Sequence, residues 1–246
     1  MNSDSGIKYH IDGPLRSAEA QQKSNTNLRP PRAVVSIMSV ESDEGWRIQL
    51  NRNVYIIGPQ STGKTTLVKA LVERLRGDVP VILEVARHVM KEKGYSRIDV
   101  DSTDSERRYA MQNDIFQAQI EKEDSYLLSR TKFISDRSAI DPLVYLMQYS
   151  GTNLLDRITS RVKWQKVRER YGDAKESLVV LLLPVEDFLI DDDIRYMAKS
   201  THDWHSLAAT FQRFLHEQDI SAIELGEECR NIDTRVERVV TELEKG

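Results

Sequence analysis

A segment in the first third of the chain carries the residue types that bind a polyphosphate. It runs Gly58-Pro59-Gln60-Ser61-Thr62-Gly63-Lys64-Thr65-Thr66 and matches the pattern G-x-x-x-x-G-K-[ST] at every fixed position. The glycines allow a tight backbone turn whose N–H groups point at an anion, and a helix beginning near Lys64 adds its positive dipole end. Lys64 then supplies charge to the outer phosphates, and the Thr65 hydroxyl is a ligand for Mg2+. The segment predicts a nucleoside triphosphate site, for ATP with GTP as the alternative, together with Mg2+.

A carboxylate follows the apolar run at residues 79–83. This carboxylate is Glu84, and Arg87 lies three residues later. Because the carboxyl ends of parallel strands open onto the ligand crevice, Glu84 is a candidate to accept the proton of an attacking hydroxyl. Arg87 is a candidate to hold a substrate anion or the transferred phosphoryl group. The alternative is a helix start, where Glu84 interacts with the helix dipole and pairs with Arg87.

A second carboxylate, Asp136, closes the apolar run at residues 133–134. Downstream of a P-loop, a carboxylate at a strand end is placed to hold the water shell of Mg2+, so Thr65 and Asp136 are the predicted metal residues. Arg137 beside it is a candidate to bind phosphate oxygens. The alternative for Asp136 is the N-cap of a following helix, a role for which Ser138 competes. The need of a P-loop for a metal partner favours the metal role.

A third charged segment follows the most apolar run of the sequence. It contains Asp191, Asp192, Asp193 and Arg195. Arg195 is a candidate lid residue that folds over the triphosphate and stabilises charge on the moving phosphoryl group. On position alone, a surface acidic run with one compensating arginine is the commoner explanation.

These segments need strands and helices in alternation to position them. Apolar runs predict strands at residues 54–57, 79–83, 133–134, 178–183 and 222–225, with two weaker strands at 33–40 and 46–50. Helical patterns occupy residues 65–76, with Gly77 as its cap, and 103–131, 142–149, 154–171, 207–217 and 234–244. Strands alternating with helices build a mostly parallel sheet covered on both faces. The predicted fold is a three-layer α/β fold with a mostly parallel sheet.

The amino-acid composition bears on the number of domains and excludes some classes of protein. The 246 residues are 39% hydrophobic and 30% charged, which suits one domain. Residues 1–32 are rich in Ser, Asn, Gln, Gly and Pro and are predicted to be a disordered arm, followed by a single domain at 33–246. The net charge of -4 opposes general nucleic-acid binding and therefore a polynucleotide kinase. Composition does not specify an oligomeric state.

The single cysteine and the lengths of the apolar runs bear on compartment and metal binding. Cys229 has no partner for an internal disulfide, and no apolar run is long enough to span a bilayer. We therefore expect a reducing, cytoplasmic location and no transmembrane segment. His202 and His205 lie three residues apart without a third metal ligand, so a polar helix start with Trp204 packed inward is the better interpretation.

The order of the motifs resembles a known family. The segments GPQSTGKTT, LEVARHVM and SDRSAIDPLVY, then a strand followed by DDIR, resemble the NadR-type P-loop kinases. That group has an AAA domain and is related to deoxynucleoside and nucleoside monophosphate kinases. The resemblance covers about residues 52–245, and its discriminating parts are E-x-A-R at 84–87 and D-R-S followed by D-P at 136–142.

The resemblance implies roles for individual residues. Lys64 and Thr65 would serve the phosphates and Mg2+, and Glu84 and Asp136 would be the acidic catalytic pair. Arg195 would be the lid arginine, although Asp193 stands where the family typically has the glycine of D-G-V-R. In nucleoside kinases a glutamine on the long helix reads a base. This makes Gln119 a candidate substrate residue, although Gln112 and Gln119 lie seven residues apart and a solvated helix face is the commoner explanation.

Two functions follow from these observations. The first is a kinase that moves the γ-phosphate of ATP onto a hydroxyl of a small, nucleoside-like metabolite, with Arg87, Arg137 and Gln119 contacting the substrate. The second is a nucleotide-gated module, using GTP or ATP, that binds a protein or a lipid. The sequence has no N-K-x-D element for reading guanine, which weighs weakly against GTP.

Overall fold

The structure is a computed structural model, and it describes residues 50–75, 78–100, 102–186 and 200–245. Within these ranges the strands are β1 (Asn53–Ile57), β2 (Val81–Ile82), β3 (Ile134–Asp136), β4 (Ser177–Leu182) and β5 (Ala222–Leu225). The helices are α1 (Lys64–Leu75), α2 (Val85–Lys93), α3 (Ser105–Leu128), α4 (Ile140–Ser150), α5 (Thr152–Thr159), α6 (Val162–Gly172), α7 (Thr201–Glu217) and α8 (Ile232–Glu244).

The five strands form one sheet in the order β2-β3-β1-β4-β5, and each neighbouring pair is parallel. Every residue of β1 and β4 is buried, as expected for central strands of a sheet covered on both faces. In the register, Ile56 of β1 lies beside Asp136 of β3. The carboxyl ends of β1 and β3 therefore meet at one edge, where ligand sites of such sheets form.

Apolar cores lie on both faces of the sheet. On one face α1 and α8 contribute Leu67, Leu71 and Val239 to a core that also contains Ile56. On the other face α3, α4 and α7 contribute a second core with Phe116, Leu143, Phe211 and other large side chains. The side chains of β1 alternate between these cores, so the sheet is the middle of three layers. The predicted three-layer α/β fold is confirmed.

Several predicted elements differ from those observed. The predicted helix at 154–171 is two helices, because Arg161 adopts an extended backbone and its guanidinium reaches Asn113 and the Tyr109 hydroxyl on α3. The predicted strand at 79–83 shortens to the two residues of β2, which is an edge strand paired only with β3 among the described residues. Helix α2 was predicted only as the helix-start alternative for Glu84, since its sequence has a single buried apolar residue, Val89.

Some predictions concern parts of the chain outside the described residues. These are the arm at 1–32, the strand at 33–40, nearly all of the strand at 46–50, the cap Gly77 and the lid segment with Arg195. The division of the chain after residue 32 stays a prediction. In the part of the chain that is described, no helix combines the length and the apolar character needed to cross a bilayer.

Candidate functional site

The predicted P-loop joins β1 to α1 and depends on its glycines. Gly58 has φ +132°, and a Cβ atom there would lie 2.4 Å from the carbonyl oxygen of Leu182 on β4. Gly63 has φ +87° and lies directly before the first residue of α1. Any residue other than glycine would be strained at these φ angles, and at Gly58 its Cβ atom would also collide with the backbone of β4. The loop is thus wound tightly at the amino end of a helix, the geometry of an anion site.

Lys64 is buried at the floor of this loop. Its Nζ donates to the carbonyl oxygen of Gly58 at 2.9 Å and also to that of Pro59. Burial, assisted by the nearby charge of Arg137, lowers the pKa of Lys64 to about 7. A small cavity of about 50 Å³ adjoins it, lined by Ser61, Gly63, Thr65, Thr66, Glu84, Asp136 and Arg137 as well as Lys64. An anion in this cavity would favour the charged lysine.

The two predicted metal residues are in contact. The Thr65 hydroxyl donates to Oδ2 of Asp136 at 2.5 Å, which joins the start of α1 to the end of β3. The N-cap alternative for Asp136 is wrong, because Ala139 precedes α4. The amide of Ser138 instead donates to Asp141 at 2.8 Å, while the Ser138 hydroxyl accepts from the amide of Ile140. Hydroxyl and carboxylate oxygens are the ligands that Mg2+ prefers, so the donors present fit this metal.

Glu84 lies between two guanidinium groups. Arg137 Nε donates to its Oε1 at 2.8 Å, and Arg87 Nε donates to its Oε2 at 2.7 Å. Burial opposes the charge of Glu84, but Arg137 and Arg87 outweigh it and lower the pKa to about 2. Glu84 also directly precedes α2 without capping it by its side chain. The pairing proposed for the helix-start alternative is therefore present, and the catalytic role stays a prediction.

Arg137 is a strained and partly buried cation, whose side chain is 14% exposed. Its φ of +86° is unusual for a residue with a side chain, and its amide donates to the carbonyl oxygen of Ile56 at 2.9 Å. Its Nη1 reaches Asp141 Oδ1 at 3.2 Å, in addition to the contact with Glu84. Although burial works against the charge, these carboxylates raise the pKa of Arg137. Strained residues of this kind concentrate at binding sites and catalytic sites.

A larger cavity of about 380 Å³ lies on the other side of Glu84 and Arg137, which line both cavities. Arg87 and Gln119 also line it, so the structure brings all three predicted substrate residues to one space. The expectation of a solvated face for Gln112 and Gln119 is wrong, because their exposures are only 4% and 2%. The volume is within the range of small-molecule sites.

The remaining walls combine apolar and polar groups. Tyr145 lines the cavity and donates its hydroxyl to Gln60 Oε1 at 2.9 Å. Apolar wall comes from Met90, Val100, Met111, Ile115 and Pro142. A cavity with this lining suits a ligand with an apolar ring and a few polar substituents.

Contacts from Arg235 and Trp204 support the P-loop, and the sequence analysis predicted neither contact. Arg235 on α8 is buried and donates to the carbonyl oxygens of Thr62, at 2.8 Å, and Cys229, at 2.6 Å. Trp204 on α7, whose inward packing was predicted, also donates Nε1 to the carbonyl oxygen of Gln60 at 2.8 Å. Thr62 and Arg235 are 173 residues apart, so no local pattern indicates the contact.

Helix α7 begins at Thr201, as expected for the segment with His202.

Comparison with known proteins gives matches in sequence and in structure. A sequence model of the AAA domain matches residues 53–230. No curated protein matches significantly. Among solved structures, NadR in complex with NR is 22% identical with a TM-score of 0.58, covering 80% of this chain and 51% of that chain. This chain thus spans about half the length of the NadR chain.

Deoxyadenosine kinase from M. mycoides is also similar in structure. The complex with dATP is 15% identical with a TM-score of 0.53, covering 78% of this chain and 99% of that chain. The complex of the same enzyme with dCMP and dCDP is 14% identical with a TM-score of 0.51, covering 78% and 98%. At these identities the likeness shows a shared fold.

Proposed function

The chain belongs to the AAA-domain family and has the fold of the P-loop kinases, and we propose that it transfers the γ-phosphate of ATP to a hydroxyl of a small, nucleoside-like molecule. One observation carries this proposal. The phosphate cavity and the larger cavity share Glu84 and Arg137 as a common wall. A carboxylate and a guanidinium between a polyphosphate site and a small-molecule site are the groups that phosphoryl transfer requires.

On the phosphate side, the P-loop residues 58–66 bind the β- and γ-phosphates through backbone N–H groups. Lys64 exchanges its contacts with the carbonyl oxygens of Gly58 and Pro59 for phosphate oxygens. Thr65 and Asp136 would hold Mg2+, which when bound neutralises charge on the phosphates. Arg195, outside the described residues, stays the predicted lid arginine.

On the acceptor side, the hydroxyl of the second substrate lies at the shared wall beside Glu84. Arg137 moves from Glu84 to the transferred phosphoryl group, which frees Oε1 of Glu84 to accept the hydroxyl proton. The hydroxyl oxygen forms a bond to the γ-phosphorus while the bond from that phosphorus to the β–γ bridging oxygen breaks, and ADP leaves. Arg87 stabilises the product phosphate, and Gln119 contacts the remainder of the acceptor. The strain at Arg137 is consistent with a side chain that changes partner during the reaction.

The test combines two variants with a screen of acceptors. Purified protein is incubated with Mg2+ and either ATP or GTP against a panel of ribonucleosides and deoxyribonucleosides, and phosphorylated products are identified by mass spectrometry. Lys64→Ala should abolish nucleotide binding measured by calorimetry. Glu84→Gln should retain that binding and lower kcat by about 10²- to 10⁴-fold, the contribution of a general base. Glu92→Gln changes an exposed carboxylate on α2, the helix that Glu84 precedes, and this matched control should behave as wild type.

Two outcomes would contradict the proposal in different ways. Full turnover by Glu84→Gln would remove Glu84 from the role of base while leaving a kinase. Nucleotide hydrolysis to free phosphate, with no phosphorylated product from any acceptor, would instead favour the nucleotide-gated binding module.

A further inference from the structure

A buried polar network adjoins the larger cavity, which is the proposed acceptor site. Its centre is Glu123 on α3, which is 0% exposed and one helical turn beyond Gln119. Arg170 Nη2 contacts Glu123 Oε2 at 2.6 Å, and the Tyr171 hydroxyl donates to Oε1 at 2.8 Å. Burial raises the pKa of Glu123, and the charge of Arg170 offsets part of this effect. The close contact with Arg170 favours the ionised carboxylate. Ionised Glu123 only accepts hydrogen bonds.

This network fixes the orientation of Gln119. Its amide nitrogen donates to Glu123 Oε1 at 3.0 Å and to Ser135 Oγ at 3.1 Å. A side-chain amide has two N–H donors, and these contacts use both. A flipped amide would place its oxygen against the carboxylate of Glu123, which costs free energy because both groups are acceptors in a buried site. The carbonyl oxygen Oε1 of Gln119 is then the atom left for a ligand in the cavity that Gln119 lines.

Gln112, one of the other polar groups of this cavity, lacks such a constraint. Its side chain is 4% exposed and makes no hydrogen bond to the other described residues, so its amide can present either its oxygen or its nitrogen. Met111 and Ile115 flank it with apolar surface. Within this apolar surrounding, a ligand group that fails to complement a fixed acceptor leaves a buried polar atom without a partner. Of these two glutamines, Gln119 is therefore the one that can discriminate between ligand groups.

We propose that Glu123 is a positioning residue that holds the side-chain oxygen of Gln119 as a fixed hydrogen-bond acceptor. The site therefore selects substrates that present an N–H donor to Gln119. The chemical class is a nucleoside-like compound whose ring carries an exocyclic amino or carboxamide group. The inference rests on the proposed function for the identity of the cavity as the acceptor site. The orientation of the amide itself rests on the contacts of Gln119 alone.

Matched nucleosides test the selection directly by calorimetry. Adenosine is compared with purine riboside, which lacks only the 6-amino group, and cytidine with pyrimidin-2-one riboside, which lacks only the 4-amino group. In each pair that binds, we expect the amino compound to bind about tenfold more tightly or better, the size of one buried hydrogen bond. Equal affinities within the pairs, or no binding by any of the four ribosides, would overturn the inference.

Variants then separate positioning from simple structural support. Glu123→Gln frees the amide of Gln119 to take either orientation, and the tenfold preference should fall to about twofold or less. Asp124→Asn is the control, because Asp124 also contacts Arg170, at 3.1 Å, but is half-exposed and makes no contact with Gln119. The control should retain the preference. A structural role alone would weaken both members of a pair equally, and that result in Glu123→Gln would overturn the positioning role.

A second variant keeps the inference testable if Glu123→Gln does not fold. Gln119→Leu preserves the ion pair between Glu123 and Arg170 and removes the acceptor, so the two members of each pair should bind equally. A preference that survives in Gln119→Leu refutes the inference. If the wild type keeps the preference but phosphorylates none of the ribosides, the proposed kinase function fails while this inference stands.

Discussion

Replacing Arg235 with methionine should loosen the P-loop from a distance. The guanidinium donates hydrogen bonds to the carbonyl oxygens of Thr62 and Cys229, at 2.8 and 2.6 Å. Hydrogen bonds from a charged group contribute about 1.5–3 kcal/mol each, and a buried carbonyl oxygen left without a partner costs a similar amount. Burial lowers the pKa of Arg235, so its charge is partly desolvated, and relief of this cost offsets some of the loss. Methionine has similar length and leaves little cavity.

The expected net effect is a decrease of about 2–4 kcal/mol in the free energy of unfolding, measured by urea denaturation. Because the carbonyl of Thr62 also loses its support, the N–H groups of the loop are held less firmly. The Kd for ATP with Mg2+, measured by calorimetry, should rise about tenfold. Arg238→Met is the control, since Arg238 lies on the same helix, is half-exposed and forms an ion pair with Glu242 at 3.8 Å. It should change stability by less than about 0.5 kcal/mol.

Two results would refute this reasoning about Arg235. An unchanged urea midpoint would mean that the two hydrogen bonds contribute nothing net. A lower midpoint with an unchanged Kd would mean that Arg235 supports α8 and its neighbouring turn but not the P-loop.

Three further predictions concern the same site. Gly58→Ala should lower the free energy of unfolding by about 3 kcal/mol or more, because of the strained φ of +132° and the 2.4 Å approach to Leu182; urea denaturation with an unchanged midpoint would contradict this. The pKa of Lys64 falls from 10.5 to about 7 on folding, so the unfolded chain holds more protons between these values and stability should rise with pH across that window. Lys64→Met should remove this part of the rise in urea midpoints measured from pH 7 to 10. Arg87→Gln should move the acid limb of kcat/KM to higher pH, because Glu84 loses one of the two guanidinium groups that lower its pKa to about 2. An identical pH profile in the variant would argue against Glu84 as the base.

Features that depend on local sequence were predictable. The P-loop is a contiguous motif with a strand before it and a helix after it, and β5 has the bounds predicted from its apolar run. The continuous apolar pattern of β4 likewise identified a buried central strand. In each case the residues that determine the structure are neighbours in the chain, so periodicity and residue type are enough.

Features that depend on distant partners were not predictable. The break between α5 and α6 contains neither glycine nor proline, and it is explained by contacts of Arg161 with α3. The burial of Gln119 follows from its contact with Ser135 on β3 and from the packing of α3 over the sheet. The pairing of Glu84 with both Arg87 and Arg137 required the ends of β2 and β3 to be adjacent. A single sequence gives residue types at these positions but not their tertiary neighbours.

The contact between Arg235 and Thr62 also sets the order of events during synthesis. When a ribosome has added the P-loop, 173 residues still separate Thr62 from the guanidinium that supports it. At about 5–20 residues per second, roughly 10–35 s pass before Arg235 is made, and longer before it leaves the exit tunnel. The nascent chain therefore carries an incompletely supported nucleotide loop until α8 has been made, and full affinity for nucleotide should arise only once α8 has docked.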